Sequence, residues 1–585
     1  MYKKSEIKKI SKYWIKQSEI LEWKKKPSTA VVFKKESVNW YPDGKASVFY
    51  NCIIKNIKLG LGNKTAIYYL NEKEAIREIS YKNLLFKVNK FSNFVKSKYL
   101  KKNNKNIKIM IHASAGLDTA IAMLACTKLG IHFCVVFKEL KIEAIKKRID
   151  LFRPDIFLTE INPEYFNKDF SKAKYKNILI NKINEYKKFK GSYSYNYKNF
   201  NGDRDFFTLF TSGSTGIPKG IVHSTCGYLT YIAIGCKKKF GINKNSIILC
   251  ASDAGWINGH TYSLFGPLFF GASTLILKSP FLLTNKKILK KVINLGITIL
   301  YLPVTLIRIM RQIYNNEKFQ NQNLITLGSM GEPLAPEVGK WFVETFGKKN
   351  QAIVNTYFQT ETGGIISSHS YNQKINNKFY GSVGYPFSKF VKFEKILNKQ
   401  KKELKLSYPW PGQMKRILNG YDQWIKYFDK KNQFKLFDLA TINQKNIFVH
   451  GRTDDVINIR GHRIGSEEIE STLLQLKNVI EVAAISIENE IEGNVFYIFI
   501  ACKKNSKYLE KAVNNKIHKN FGSFAIPKNI YLVNELPKTR SGKILRRVLR
   551  NLLKNNKITQ YDTSTLLKKS VVGDIEKIIK QNLIY

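Results

Sequence analysis

The sequence predicts an α/β protein with a large N-terminal doubly wound domain and a smaller C-terminal α+β domain. Three observations carry that expectation. At 585 residues the chain exceeds what one hydrophobic core organises. Through its middle, apolar strand-like runs alternate with amphipathic helical ones. After about residue 455 a different, compact order of helices and strands takes over.

Residues 106–112 read as a strand, 118–129 as a helix and 133–137 as the next strand. Further on, 246–251, 273–277, 297–302 and 324–328 read as strands, with 285–294, 305–314 and 336–346 as the helices between them. This rhythm predicts one mostly parallel sheet covered on both faces. Ligands of such sheets bind beyond the carboxyl ends of the strands, where a loop at 211–220 follows the apolar run 206–210. In the last part, 467–476 and 509–520 read as helices, and 479–485 and 495–501 as strands. The boundary is placed so that residues 1–453 form the N-terminal domain and 454–585 the C-terminal one.

Composition excludes several classes. An apolar fraction of 44% with 13% aromatics describes a globular chain. The seven cysteines are scattered without a Cys-x-x-Cys pair, which predicts reduced thiols and no zinc site. Met1-Tyr-Lys-Lys-Ser lacks a signal-peptide core, and 263–277, the most apolar stretch, is too short to span a bilayer. A cytoplasmic protein with no membrane partner is expected. The net charge of +54 suggests nucleic acid at first sight. Its lysines spread over the entire chain among abundant Asn, Ile and Tyr, the pattern of an AT-rich codon bias, so no nucleic-acid partner is expected.

Two stretches carry the chemistry. Phe210-Thr-Ser-Gly-Ser-Thr-Gly-Ile-Pro-Lys-Gly220 combines glycines, which let backbone N–H groups approach phosphate oxygens, with hydroxyls and a cation. It is not a Walker A motif, because Gly213 and Gly216 are three apart and Lys219 precedes Gly220. Pro537-Lys-Thr-Arg-Ser-Gly-Lys543 is a Gly/Ser turn ending in a lysine far away in the chain. The pair describes an enzyme that grips a nucleoside triphosphate in one domain and delivers a cation from the other.

The first stretch resembles the phosphate loop of the AMP-forming adenylating enzymes, and further segments narrow the resemblance to their acetyl-CoA synthetase branch. These are Asn39-Trp-Tyr-Pro-Asp-Gly-Lys45, Asp253-Ala-Gly-Trp-Ile-Asn-Gly-His-Thr-Tyr262, Gly328-Ser-Met-Gly-Glu-Pro333, Tyr357-Phe-Gln-Thr-Glu-Thr-Gly-Gly364, Gly451-Arg-Thr-Asp-Asp-Val-Ile-Asn-Ile-Arg-Gly-His-Arg463 and Asp562-Thr-Ser-Thr-Leu566. They occur in order over nearly the entire chain.

The resemblance implies ATP, Mg²⁺ and coenzyme A as cofactors, a small carboxylic acid as substrate, and a mobile C-terminal domain. By it, Thr211, Ser212, Gly213, Ser214, Thr215, Gly216 and Lys219 hold the phosphates, and Glu361 helps to ligate the metal. Gly331, Glu332 and Pro333 line the adenine side, with Asn355, Thr356, Tyr357, Phe358, Gln359 and Thr360 in the same nucleotide site. Asp438 and Arg452 reach the ribose, Arg463 the phosphates, and Asp454 is the hinge. Lys543 is the catalytic lysine that serves adenylation and then withdraws. A lysine acyltransferase or deacylase acting on Lys543 is an implied partner, since acylation removes the charge.

The sequence departs from the pattern at several places. Phe437 stands where the family usually has Gly, which predicts a differently shaped loop before Asp438. For CoA the carry-over gives Arg460, Gly461 and His518, with Arg460 in place of the usual serine and Lys138-Glu-Leu-Lys141 in place of a glycine-rich segment. The implied acyl pocket is Trp256, Ile257, Asn258, Met330 and Phe358, where Phe358 replaces the usual tryptophan. Acetate or a similar short acid is thus expected, with propionate or a small hydroxy- or oxo-acid as the alternative. A degenerate synthetase fold acting as a basic binding protein, and an enzyme loading a carrier protein, are the rival classes.

Overall fold

Helix Leu117–Leu129 has no polar stripe, and residues 119–128 along it are buried. A helix apolar on all sides must be enclosed on all sides. It lies between two seven-stranded sheets, and Ala120–Cys126 share one core with Ile109, Phe133 and Leu209 of the first sheet and Ile67 and Ile276 of the second. The structure, a computed structural model, describes residues 4–582 apart from 101–106, 141, 172–174, 191–195, 212–217, 315–316, 320, 395–401, 419, 444–445, 453–455, 460–461, 490–492, 503–506, 522–525, 540–541 and 555–565.

The first sheet orders Leu179–Lys182, Ile156–Thr159, Lys108–His112, His132–Val136 and Asp205–Thr211 in parallel, then adds Lys219–Ser224 and Arg416–Leu418 antiparallel. The second orders Ile353–Asn355, Thr326–Met330, Ile299–Pro303, Ile247–Cys250, Ser273–Leu277 and Thr65–Leu70 in parallel, with Ile76–Ser80 antiparallel at its edge. The strand period of two divides the side chains between faces. Leu300 and Leu302 join the outer core under helices Lys286–Asn294, Val304–Ile313 and Pro336–Phe346, whereas Ile299 and Tyr301 face inward. Asn285 caps the first of these helices, its Oδ1 accepting the N–H of Lys287 at 2.9 Å.

The α/β class is as expected, but the single sheet is corrected to two. The strand blocks at 108–136 and 247–330 never pair, because helices Leu117–Leu129 and Thr225–Gly235 fill the space between them. The expected strand 324–328 begins at Thr326, since the Leu324 N–H is taken by the Asn321 carbonyl in a turn. The loop expected at 211–220 is shorter. Thr211 pairs with Lys219 across an antiparallel ladder, so Lys219 stands on the return strand of a hairpin. Gly220 permits this, because a Cβ there would sit 2.8 Å from the Leu418 side chain of the neighbouring strand.

In the C-terminal part, Val479–Asn489 and Gly493–Cys502 pair antiparallel and Asn529–Val533 joins in parallel. Val482 and Ala484 pack with helices Ser466–Leu473 and Lys507–Phe521, while Ala483 and Ile485 pack with Arg546–Leu553 and Ser570–Gln581. A sheet covered on both faces explains why both alternating sets are apolar. The expected boundary at residues 453 and 454 lies outside the described residues. Among the described residues no helix is long and apolar enough to cross a membrane.

Candidate active site

After strand Ile353–Asn355 the chain turns through a short 3₁₀ helix, Thr360–Thr362. The carbonyls of such a turn need partners, and three long-range donors supply them. His223 Nε2 donates to the Thr360 carbonyl at 2.8 Å, the Met414 N–H to Glu361 at 2.8 Å and Trp410 Nε1 to Thr362 at 3.0 Å. Burial pushes the His223 pKa down to about 4, so the ring serves as a neutral donor. Gly363 closes the turn at φ +74, where a Cβ would collide with the Gly412 carbonyl.

This scaffold aims the buried Glu361 carboxylate. Its Oε1 accepts a hydrogen bond from the Tyr427 hydroxyl at 2.7 Å, and Lys219 Nζ donates to the same hydroxyl at 3.0 Å. Lys219 and Glu361, the expected phosphate and metal residues, are therefore joined through a tyrosine that the sequence reading did not single out. No group of three His, Cys, Asp or Glu side chains forms a metal cage among the described residues. One carboxylate suits a magnesium ion completed by water and substrate phosphates.

Asp438 is also buried, and its Oδ2 accepts from Tyr357 Oη at 2.6 Å and Gln359 Nε2 at 2.7 Å. Arg452 lies directly across the strand ladder from it. Phe437 has φ +56. A phenylalanine thus holds the left-handed conformation that glycine favours and carries its strain. Its ring packs edge-on against Tyr427 at 5.4 Å. Gly331 follows strand Thr326–Met330 at φ +90, where any other residue would be strained. Glu332 pairs with Arg308. Asn355 is wholly buried, accepting from Ser329 Oγ at 2.9 Å and donating to the Ser382 carbonyl at 3.2 Å, so its amide braces the strand end.

Met330 and Phe358 pack with Tyr262 and Tyr301, Phe358 edge-on to Tyr262 at 5.9 Å, while Ile257 belongs to the neighbouring core, which Phe358 also touches. Tyr301 Oη is 2.7 Å from Thr356 Oγ1 and donates to Asn258 Oδ1 at 3.4 Å. Trp256 precedes the helix Ile257–His260 and packs on Phe137 at 5.1 Å. Tyr301 was missed as well, although its place near the carboxyl end of a parallel strand is a readable signal.

The Lys543 turn meets the N-terminal part. Gly542 adopts φ +85, its carbonyl accepts from Thr305 Oγ1 at 3.0 Å, and Thr305 Oγ1 lies 3.4 Å from Glu332 Oε2. Lys543 itself is exposed. His518 is exposed on helix Lys507–Phe521, without a described contact to these groups. Arg463 lies on strand His462–Gly465 opposite Asn458. Ser212, Gly213, Ser214, Thr215, Gly216, Asp454, Arg460, Gly461 and Lys141 lie outside the described residues. Lys138 reaches Glu160 at 3.7 Å, and Glu160 is also paired with Lys278, so this cluster already balances part of its own charge.

Comparison with known proteins decides the family. Residues 59–408 match the model of the AMP-binding enzymes, and 468–543 match their C-terminal domain. The chain belongs to the AMP-binding enzyme family. Residues 1–52 match the acetyl-coenzyme A synthetase N-terminus, placing this AMP-binding enzyme in the acetyl-CoA synthetase-like branch. The acetyl-coenzyme A synthetase of Bdellovibrio bacteriovorus is 32% identical, over 98% of this chain and 95% of that protein. That of Coprinopsis cinerea is 31% identical, over 97% of this chain and 92% of that protein. Among solved structures, acetoacetyl-CoA synthetase from Streptomyces lividans superposes with a TM-score of 0.80 at 14% identity, over 98% of this chain and 93% of that one. ATP-bound MatB from Rhodopseudomonas palustris gives 0.74 at 18% identity, over 87% of this chain and 99% of that one. At such identities the two structures speak for the fold alone.

Proposed function

We propose that this AMP-binding enzyme is an AMP-forming acyl-CoA synthetase acting on acetate or a similar short acid. It converts ATP, the acid and CoA into acyl-CoA, AMP and pyrophosphate through an acyl-adenylate. The observation that carries the reading is the docking of the Lys543 turn on Thr305, beside Glu332 of the nucleotide segment. A carboxylate attacking a polyphosphate needs cations placed where negative charge accumulates. Lys219 supplies one from the hairpin strand, and Lys543 a second from the C-terminal unit. Glu361 is the residue to hold Mg²⁺, which when bound neutralises phosphate charge. Asp438, held by Tyr357 and Gln359, turns its carboxylate to the ribose hydroxyls.

In the thioester step the C-terminal unit, residues 454–585, turns about Asp454 and withdraws Lys543. Arg460, Gly461 and His518, with Lys138, are the candidates to receive CoA. Acylation of the exposed Lys543 by a lysine acyltransferase, reversed by a deacylase, would cancel its charge and silence adenylation. The acyl chain rests among Ile257, Asn258, Met330 and Phe358, with Trp256 beside them.

The test is a panel of small acids in CoA-dependent AMP release, paired with acid-dependent ATP–pyrophosphate exchange. Exchange with acetate or propionate is the expected result. No exchange with any acid would return the protein to the class of basic binding proteins, and exchange without CoA turnover would favour carrier loading.

A further inference from the structure

Lys219 and Glu361 belong to segments far apart in the chain, yet both reach one phenol oxygen, that of Tyr427. Tyr427 lies just beyond the short helix Tyr421–Ile425 and is 3% exposed. Its ring is clamped, stacked on Phe434 at 5.5 Å and edge-on to Phe437 at 5.4 Å. Its backbone is tied at both ends, the N–H donating to the Trp424 carbonyl at 3.1 Å and the carbonyl accepting the Lys435 N–H at 2.8 Å. The hydroxyl therefore has a fixed position. It uses its proton on Glu361 and its lone pair on Lys219, whose Nζ also stands 5.2 Å over the same ring.

We propose that Tyr427 is a positioning residue that holds the Lys219 ammonium and the Glu361 carboxylate on opposite sides of one hydroxyl, keeping both charges available to the metal–triphosphate complex. The inference rests on the adenylating function proposed above. A lysine and a glutamate facing each other in a buried cleft attract strongly and close into a direct ion pair. Such a pair neutralises the two groups that Mg·ATP has to engage and must be broken each time the nucleotide enters. A bridging phenol gives both partners a hydrogen bond to a charged group while keeping the ammonium and the carboxylate from closing on each other. The ring clamp matters because a swinging phenol would let the pair collapse.

The experiment measures ATP binding to the full chain by titration calorimetry, with and without Mg²⁺, alongside thermal melting. Tyr427→Phe keeps the ring and its packing and removes only the bridge. The variant is expected to melt with the wild-type protein but to bind ATP about tenfold more weakly in both conditions, because Lys219 and Glu361 now occupy each other. Adding Glu361→Gln to that variant should release Lys219 and restore Mg²⁺-free ATP binding to the wild-type level. Unchanged ATP affinity in Tyr427→Phe, or a double variant no better than the single one, would overturn the proposal. Should Tyr427→Phe fold poorly, Phe434→Leu decides, because it loosens the clamp on the Tyr427 ring without touching a nucleotide residue. ATP affinity should then fall several-fold, and an unchanged affinity in the folded variant would overturn the proposal. A wild-type protein that binds no ATP would instead refute the adenylating function itself.

Discussion

The Thr305 hydroxyl donates to the Gly542 carbonyl at 3.0 Å, joining the start of helix Val304–Ile313 to the turn that bears Lys543. A side chain at Gly542 would place its Cβ 2.6 Å from the Thr305 Cβ, in a backbone conformation of φ +85 that only glycine adopts freely. Gly542→Ala therefore carries about 1–2 kcal/mol of backbone strain in addition to the clash. Pyrophosphate exchange should fall at least tenfold, whereas acyl-CoA formation from supplied acyl-adenylate should hold. Equal loss of both half-reactions would mean that the turn matters for folding and not for docking.

Lys543→Ala should give the same split in a more extreme form, with adenylation nearly abolished. The turn is kept by the Gly542 N–H to Thr539 carbonyl bond at 2.8 Å and by the Thr539 N–H to Lys543 carbonyl bond at 2.8 Å, both from the backbone. Melting temperature should therefore stay at the wild-type value. Wild-type exchange rates in this variant would remove Lys543 from the reaction.

Phe358→Trp should shift selectivity toward acetate. Phe358 meets Tyr262 edge-on at 5.9 Å in the core that holds the buried Met330, so a larger ring is expected to take its volume from the proposed acyl pocket. A methylene in such a pocket discriminates by roughly 1–3 kcal/mol, so the propionate-to-acetate ratio of kcat/KM should drop about tenfold or more. An unchanged ratio would show that Phe358 does not touch the acyl chain.

Acid should destabilise the protein early. Burial lowers the pKa of His112, His223 and His369 to about 4 and of His132 and His260 to about 3, against an ordinary 6.5. Each ring is neutral when folded and takes up a proton only on unfolding, so its contribution is complete above pH 6.5 and is lost as pH falls from there toward 3–4. Asp253 opposes them: burial raises it to about 6, so it favours the folded form on acidification from that pH downward. Burial also raises the Glu470 carboxyl, so five histidines stand against two carboxyls, and the urea midpoint should fall between pH 6.5 and 4.5. A flat profile over that range would contradict the buried, neutral state of these rings.

Tyr357→Phe removes a hydrogen bond that, with the one from Gln359, orients Asp438. The KM for ATP should rise several-fold with kcat for the bound complex less affected, since a positioning hydrogen bond is worth about 1–3 kcal/mol when its acceptor is charged. No change in KM would indicate that the Tyr357 hydrogen bond does not orient the carboxylate.

Local physics made much of this legible from the chain alone. Helix Pro336–Phe346 and strand Ser273–Leu277 fall where the sequence pattern places them, because a proline start and a short run of Thr, Leu and Ile after Gly271 each commit a segment to one conformation. Glycine positions carried information in the same way: Gly331 and Gly542 need backbone angles that other residues resist. Phe437 shows the limit of that rule, since the surrounding strand ladder and the Tyr427 contact impose a left-handed φ on a residue that disfavours it.

Sequence by itself therefore determined the α/β class, the family motifs and the residue types available for holding a nucleotide. Tertiary structure alone decided which of them meet. Lys219 and Tyr427 are 208 residues apart and Thr305 and Gly542 are 237 apart, and no periodicity links either pair. Two sheets instead of one, and Lys219 on a hairpin strand instead of in a loop, follow from the same cause. Hydrophobic pattern tells each segment which face to bury, but the partner across that face is chosen by the winding of the entire chain.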